Sequence, residues 1–217
     1  MTVQHFPEFS NSKFLIHIAF HFNKKRLQFL EGVISTICEY PFKQIDLVID
    51  TNDRKFQHAA LALNVPAHVD IRVSVHTDLK HPFLLTWAHR ENIAEQKNNY
   101  DYYMYVEDDI AVSNEALRHW RLDSILLSTH DKIRGFLRSE VDVDKNVMST
   151  DFMKPVRCRE MIKIDGKSYL RPKNPYQGFW VYSNKQLELF MSSQCWEDGN
   201  HADWAGRESI RRNDVVK

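Results

Sequence analysis

Apolar and polar positions alternate along the chain in blocks that predict strands and helices in turn. Apolar or alternating runs predict four strands in the first part of the chain, at residues 14–22, 45–49, 69–75 and 102–106. Apolar residues at helical spacing predict three helices between and after these strands, starting behind Asn23 as N-cap, at Pro82 and at Asn114, with the last two running to about Lys97 and Leu127. The third helix is predicted to turn four large side chains inward, those of Leu117, Trp120, Ile125 and Leu126.

The later part of the chain is less regular. A strand is predicted at 133–141, and strands at 161–164 and 168–170 flank an Asp-Gly pair that is typical of a tight hairpin turn. A last strand at 178–182 precedes a helix at 184–191. The alternation predicts an α/β fold with a mostly parallel sheet, helices on both faces, and an α+β second half. Because no repeat or linker interrupts the sequence, residues 1–217 are predicted to form a single domain with halves at about 13–127 and 128–217.

Composition and charge narrow the class of protein. With 217 residues of which 43% are hydrophobic, the chain has enough apolar material for a sizeable core, which excludes disorder. Its 29 basic and 29 acidic residues cancel, so no overall field favours a nucleic-acid or membrane partner. The three widely spaced cysteines suit a reducing compartment, and the apolar run 14–20 is too short for a transmembrane segment. We therefore expect a soluble, cytoplasmic protein, or a catalytic domain cut from a longer one.

The most distinctive local pattern is a carboxylate triplet at the end of the fourth predicted strand. Glu107, Asp108 and Asp109 follow an apolar, aromatic run directly. Adjacent carboxylates repel one another unless a cation neutralises them, and hard divalent ions prefer such oxygen ligands. Continued strand pleating would point Glu107 and Asp109 to one side and Asp108 to the other. A solvated acidic turn is the alternative interpretation.

Together with the loops after the first two strands, this layout resembles the nucleotide-sugar-dependent glycosyltransferases of the GT-A fold, of the family 2 type. In that family a DxD-type motif at a strand end holds the metal that bridges the donor's diphosphate, and EDD occupies the corresponding place here. The motifs that carry the resemblance are AFHFNKKRLQFLEGV, VIDTND, LLTWAHREN and YMYVEDDI. It covers residues 13 to 127 well and the remainder less well. It implies a nucleotide-sugar-binding first half and an acceptor-binding second half.

The resemblance also assigns residues to roles. It implies donor binding by Asn23, Arg26, Asp50, Asn52, Arg90, Glu107 and Asp108. It implies Mn²⁺ or Mg²⁺ held by Asp109 and Asp108, with His201 completing the metal shell. An inverting enzyme also needs a carboxylate base for the acceptor hydroxyl, and similar enzymes take it from a late segment. The candidates there are Asp198 first, then Asp203 and Glu208. A retaining enzyme would need no such base, and the sequence leaves both stereochemical outcomes open.

Flat aromatic faces beside an amide suit a sugar acceptor, and one late segment supplies them around Gly178. Its candidates are Tyr176, Gln177 and Trp180, although an aromatic residue there is equally suited to the core of a strand. The expected function is metal-dependent transfer of a sugar from a nucleotide diphosphate donor, with a UDP-sugar favoured, to a glycan or other hydroxyl acceptor. The alternatives are a nucleotidyltransferase or metal-dependent phosphohydrolase that uses the same carboxylates, and a catalytically silent carbohydrate-binding domain.

Overall fold

The computed structural model describes residues 9–57, 63–130, 132–149, 161–170, 178–193 and 196. Their contacts divide them into two units. One unit takes in the described residues up to Leu117 together with those from Gly178 onward, and the other takes in those from Arg118 to Leu170. The prediction of a single domain over residues 1–217 stays a prediction.

The apolar runs fold as strands and the amphipathic segments as helices. The strands are β1 (Lys13–Phe20), β2 (Gln44–Thr51), β3 (Val69–Val75), β4 (Tyr102–Glu107), β5 (Ser139–Val141), β6 (Val147–Ser149), β7 (Met161–Ile164), β8 (Lys167–Leu170) and β9 (Phe179–Ser183). The helices are α1 (Leu27–Cys38), α2 (His89–Glu95), α3 (Asn114–Ser128) and α4 (Asn184–Met191). Two 3-10 segments, Lys24–Arg26 and Pro82–Trp87, precede α1 and α2.

Five strands form the central sheet of the first unit, in the order β3-β2-β1-β4-β9. The first four are parallel to their neighbours, and β9 is antiparallel to β4. The predicted α/β fold with a mostly parallel sheet flanked by helices is confirmed. The strand order reverses direction at β1, so a topological switch point lies between β1 and β4, where ligands of open α/β sheets bind outside the carboxyl ends of the strands.

The two faces of this sheet have different coverings. Right-handed crossovers place α1, which joins β1 to β2, and α2, which leads into β4, on opposite faces. On the α2 face, Leu15 of β1 and Tyr103 of β4 pack in one buried cluster with Ile93 of α2 and Leu187 of α4. His17 lies two residues after Leu15 and therefore points to this same face, where it is fully buried. A polar side chain, that of His17, is thus buried in the core beneath α2.

The first unit also contains β9, which pairs with β4 in the central sheet, and helix α4. The predicted acceptor-side half at about 128–217 stays a prediction. Helix α4 begins at a capping box, in which the Ser183 hydroxyl accepts the Gln186 N–H and the Gln186 side chain accepts the Ser183 N–H. The helix bounds 184–191 predicted from the sequence are confirmed.

In the second unit, the described residues form one helical segment and two hairpins. Strands β7 and β8 pair across Asp165 and Gly166, whose φ angles of 47° and 77° are those of the predicted tight turn. Asp123 of α3 accepts hydrogen bonds from Lys167 Nζ at 2.9 Å and from the Tyr169 hydroxyl at 3.2 Å. These bonds tie the β7–β8 hairpin to α3.

Three element predictions are corrected. The predicted helix from Pro82 to Lys97 is divided into a 3-10 segment and α2. The predicted strand at 133–141 is wrong over 133–138, because only Ser139–Val141 finds a partner strand to pair with. Ile125 is 49% exposed rather than inward, since the buried side of α3 follows the spacing of Leu117, Trp120 and Leu127.

Candidate active site

The register of the parallel strands brings the predicted polar side chains to one sheet edge. Ala19, near the end of β1, is the backbone partner of Asp50 in β2 and of Glu107 in β4. Parallel neighbours lie about 4.8 Å apart, so these two carboxylates flank one small residue at the switch point. Beyond them, Asn52 accepts the Phe22 N–H through Oδ1 at 2.8 Å and thereby fastens the loop after β2 to the loop after β1.

Arg26 is held against the carboxylates that follow β4. Its Nε donates to Asp108 Oδ2 at 2.8 Å and its Nη2 donates to Asp108 Oδ1 at 2.7 Å, a bidentate pair. The same Nη2 lies 3.1 Å from Asp109 Oδ2. Asn23 orients this arginine, because its side chain accepts the Lys25 N–H at 3.0 Å and caps the short turn on which Arg26 lies.

The environments of these charged groups differ. The side chain of Asp108 is 6% exposed, whereas those of Arg26 and Asp109 are each 37% exposed. Hydrogen bonding to Asp108 raises the pKa of Arg26 above its usual value. Burial raises the pKa of Asp108, and the hydrogen bonds and charge of Arg26 oppose that rise. Arg26 is therefore the group that compensates for burying Asp108.

Strand pleating does not continue through the triplet. Strand β4 ends at Glu107, and the Ile110 N–H donates back to the Glu107 carbonyl at 3.1 Å, so the chain turns there. Asp108 and Asp109 both reach Nη2 of Arg26. The prediction that Asp108 points away from Asp109 is wrong, because the two-residue alternation stops where the strand stops.

Glu107 lies against the backbone of Gly178. Its N–H donates to the Gly178 carbonyl at 2.8 Å. A Cβ atom on residue 178 would lie 2.6 Å from Glu107 Cδ, 2.8 Å from Glu107 Oε2 and 2.9 Å from Ile110 Cδ1. A glycine in a strand pattern permits such a close approach, and the group that approaches Gly178 is the Glu107 carboxylate.

Asp50 is a buried aspartate that is held by two histidines. The aspartate is 2% exposed, and its Oδ2 and Oδ1 lie 2.7 Å from His17 Nδ1 and 2.8 Å from His76 Nε2. His17 Nε2 lies 3.0 Å from Asn92 Oδ1 in α2. Burial alone would raise the pKa of Asp50, but the hydrogen bonds with both histidines hold it below its usual value. No role was predicted for His76, although its position directly after β3 was a signal.

Arg90 is enclosed by aromatic rings. Its guanidinium carbon lies 3.4 Å from the Trp87 ring centroid, 5.1 Å from that of Trp196 and 5.5 Å from that of Phe190. Its Nη1 also donates to the Trp196 carbonyl at 2.6 Å. This geometry fastens α2 to the segment after α4. The donor-binding role of Arg90 stays a prediction.

Trp180 is half-buried on the α2 face of the sheet. Its ring stacks on Tyr182 at 4.9 Å and lies 5.5 Å from the ring of His89. His89 stacks on Tyr105 at 4.2 Å, and its burial lowers the pKa of its imidazole well below the usual value. Trp180 therefore adjoins a neutral, aromatic part of the core and keeps one portion accessible.

Six predicted site residues lie outside the described residues: Tyr176, Gln177, Asp198, His201, Asp203 and Glu208. Within the described ranges, no group of three or more His, Cys, Asp or Glu side chains is arranged to hold a metal ion. Two carboxylates suffice for Mg²⁺ when water and substrate phosphates complete its shell. Asp108 and Asp109 already share one cationic nitrogen, that of Arg26, so this pair fits a cation.

Over the part of the chain that the structure describes, no helix has both the length and the apolar character needed to cross a bilayer.

No family model matches the sequence, and no curated protein matches it. Solved structures that resemble part of the chain include TarS 1–349 of S. aureus in complex with UDP-GlcNAc, with 14% identity, a TM-score of 0.36, and coverage of 55% of this chain and 32% of that one. They also include Rv0371c of Mycobacterium tuberculosis H37Rv in complex with manganese, with 15% identity, a TM-score of 0.35, and coverage of 50% and 57%. The match thus spans less than two thirds of either structure. Function has to rest on the geometry of the site itself.

Removing the charge of Asp50 tests its pairing with the two histidines. We expect Asp50→Asn to lower the free energy of unfolding by about 3–5 kcal/mol at pH 7, because two imidazoles lose their buried carboxylate. A depressed pKa stabilises the fold above the unfolded value of about 3.9 and ceases to do so as the pH falls through the folded value. The difference in the free energy of unfolding between wild type and Asp50→Asn should therefore become smaller below about pH 4.

Urea unfolding between pH 3 and 7 measures this effect. The matched control is Asp70→Asn, since the Asp70 side chain is 67% exposed and its ion pair with Arg72 is superficial, so the change should stay below about 1 kcal/mol. Equal costs for the two variants, or a deficit of Asp50→Asn that does not depend on pH, would contradict the interpretation.

Adding one methyl group at residue 178 tests the placement of Glu107. We expect Gly178→Ala to lower the free energy of unfolding by about 1–3 kcal/mol, because the new Cβ overlaps the Glu107 carboxyl group and Ile110. In a Glu107→Ala background the same change should cost less, since the main clash is gone.

Gly32→Ala is the matched control for that substitution. Gly32 lies in the exposed interior of α1 with nothing within 4 Å of an added Cβ, so this change should stabilise the protein by about 0.5–1 kcal/mol. Thermal unfolding of the variants measures both effects. If Gly178→Ala costs the same with and without the Glu107 side chain, Glu107 is not the group that requires the glycine.

Proposed function

We propose that the chain is a glycosyltransferase that binds a nucleotide-sugar donor, with a UDP-sugar favoured, at the carboxyl ends of β1, β2 and β4. The observation that carries this proposal is the convergence of Arg26 with Asp108 and Asp109 beside the switch point of the sheet. Phosphate-bearing ligands need cationic groups at such a crevice, and the described residues bring a guanidinium and a pair of cation-holding carboxylates to the same place.

Asp109 and Asp108 are the proposed ligands of Mn²⁺ or Mg²⁺, with His201 as a further proposed ligand. When bound, the dication would stabilise the negative charge that builds up on a departing diphosphate. Asp109 is the more accessible of the two carboxylates, with 37% of its side chain exposed against 6% for Asp108. We therefore assign first contact with the cation to Asp109 and support of that contact to Asp108.

The donor's phosphates and ribose are assigned to this chain's own polar groups. Arg26 faces the phosphates, because its guanidinium is partly exposed at the edge where the carboxylates lie. Glu107 accepts from a ribose hydroxyl, and its position is fixed by Gly178. Asn23 and Asn52 hold the loops after β1 and β2 in place around this site. Arg90 remains the less favoured candidate for the phosphates, because aromatic rings already enclose its guanidinium.

Asp50 is proposed to act at the nucleoside end of the donor by holding the loop after β2 rather than by direct contact. Both of its carboxylate oxygens are engaged by histidines, one of them the fully buried His17. With 2% of its surface exposed, Asp50 also has little access to a ligand.

The acceptor is assigned to the aromatic side of the sheet. Trp180 offers a partly accessible face beside Tyr182, which suits stacking against the apolar side of a sugar ring. Tyr176 and Gln177 are proposed to add polar contacts, and Asp198, then Asp203 and Glu208, to supply the general base of an inverting reaction. Of the six residues proposed to bind or deprotonate the acceptor, Trp180 alone lies among the described residues.

A screen of UDP-, GDP- and CDP-sugars for slow hydrolysis tests the proposal. With Mn²⁺ present, the wild-type protein should release a nucleoside diphosphate from at least one donor, and removal of the cation with a chelator should abolish the release. Asp109→Asn should reduce the rate by roughly 100-fold or more, the order expected when a main stabiliser of transition-state charge is lost. Asp144→Asn, a change at an exposed acidic residue of the second unit, should leave the rate unchanged.

The products distinguish the other candidate functions. Release of pyrophosphate or inorganic phosphate would indicate a nucleotidyltransferase or phosphohydrolase that uses the same carboxylates. Glycan binding that is insensitive to chelator and to nucleotides, with no product from any donor, would indicate a catalytically silent carbohydrate-binding domain.

A further inference from the structure

We infer that Arg26 is a built-in competitor of the divalent cation: the cation gains Asp108 and Asp109 only by displacing the Arg26 guanidinium, which is then released to bind an anion. This inference rests on the proposed function, because it concerns the same cation site. It adds an order of events, in which cation binding prepares the phosphate-binding group.

The hydrogen bonds of Asp108 carry the first step of the argument. Both carboxylate oxygens of Asp108 accept from Arg26, at 2.8 Å and 2.7 Å, and the nitrogen that makes the shorter bond also lies 3.1 Å from Asp109 Oδ2. A cation that bridges the two carboxylates on the side that faces this nitrogen would take the lone pairs that the nitrogen now uses, and at that distance its charge would repel the guanidinium. The guanidinium and the dication therefore compete for this side of the pair.

The balance of charge carries the second step. One guanidinium supplies a single positive charge to the two carboxylates of Asp108 and Asp109. A divalent cation supplies two and so neutralises the pair. Exchange of the guanidinium for the dication is therefore electrostatically favourable at the carboxylates, and its cost is the loss of the bidentate bonds of Arg26.

The position of Arg26 carries the third step. Its side chain is 37% exposed while that of Asp108 is 6% exposed, so the arginine has access to solvent and the aspartate does not. Among the described residues, the guanidinium makes its ion pairs with Asp108 and Asp109 alone. Its backbone stays anchored, since the Arg26 N–H donates to the Asn23 carbonyl at 2.9 Å. The side chain is thus free to swing outward without unfolding the turn.

Competition between Arg26 and the cation for the carboxylates predicts that the cation and a diphosphate bind cooperatively. While Arg26 is paired, Asp108 and Asp109 neutralise its positive charge, so it attracts a diphosphate only weakly. Once the cation has taken the carboxylates, the released guanidinium and the cation both attract the anion. Binding of the cation and of the diphosphate must then strengthen each other by the same factor, since such coupling is reciprocal.

Replacing Arg26 separates these effects. Mn²⁺ binding is measured by electron paramagnetic resonance of the free ion, and UDP binding by calorimetry with and without Mn²⁺, on the full chain. Arg26→Gln should bind Mn²⁺ alone about tenfold more tightly than wild type. The mutual strengthening of Mn²⁺ and UDP should be about tenfold weaker than in wild type, because only the direct attraction between the cation and the diphosphate remains. Arg26→Lys keeps the positive charge but loses the bidentate geometry of the guanidinium. Its Mn²⁺ affinity should lie between those of wild type and Arg26→Gln.

Lys24→Gln is the matched control, because it removes the same charge from an exposed position two residues away. It should change Mn²⁺ affinity less than about twofold, as expected of a solvent-screened charge. Melting temperatures of all variants show whether each one folds. If Arg26→Gln is unstable, the ranking of Arg26→Lys against wild type and Lys24→Gln gives the same answer.

The inference is overturned if the folded Arg26 variants bind Mn²⁺ no more tightly than wild type, or if Lys24→Gln gains as much as they do. Absence of Mn²⁺ binding to every variant overturns it as well. These results are separable from the fate of the proposed function. If donor hydrolysis needs Mn²⁺ but Arg26 and Mn²⁺ do not compete, this inference alone is contradicted. If they compete but no nucleotide-sugar product forms, this inference stands and the proposed transferase function is contradicted.

Discussion

The parallel pairing of β1 with both β2 and β4 is the constraint on which the candidate site depends. It fixes Ala19 as the common partner of Asp50 and Glu107, and it brings the loops that follow three strands to one edge of the sheet. A one-residue slip of either neighbour would turn its whole set of side chains to the other face, burying charges where apolar groups now pack. Because one face is filled by Leu15, Tyr103 and Ile93, the hydrophobic core itself opposes such a slip.

Two buried aspartates near this edge are satisfied in different ways, and the difference separates a fixed group from an exchangeable one. Asp50 is held by His76, directly after β3, and by His17 in β1, which is fully buried, so this second partner cannot move without disturbing the core. Asp108 is held by a single long side chain that is partly exposed. A buried charge always needs a partner, but only the partner of Asp108 can be exchanged for another cation without unpacking the sheet.

Local sequence patterns predicted most of the fold and less of the site. Runs such as 69–75, the Asp165-Gly166 turn and the helix at 184–191 were predictable because neighbouring residues alone determine them. The strand expected over 133–138 failed because a strand also needs a partner, which is not a local property.

The contacts of the site depend on long separations in sequence. Arg26 meets Asp108 across 82 positions, and His17 meets Asp50 across 33, so no periodicity could reveal either pair. Carrying the strand pleat past Glu107 gave the wrong side for Asp108, since the end of β4 depends on the turn made with Ile110. The residue types at the strand ends were informative, whereas their pairing required the sheet.

The antiparallel direction of β9 explains how the donor and acceptor sides of the proposed site come to share one pair of strands. Parallel strands bring their carboxyl ends to a common edge, but an antiparallel strand brings its amino-terminal end there instead. Gly178, which precedes β9, therefore meets Glu107 at the end of β4, while Trp180 pairs with Tyr105 two residues deeper in the sheet. The carboxylate assigned to the ribose and the aromatic ring assigned to the acceptor are thus held by the same ladder of hydrogen bonds. A shift in the register of β9 would displace both together, which makes the β4–β9 pairing the structural link between the two halves of the proposed reaction.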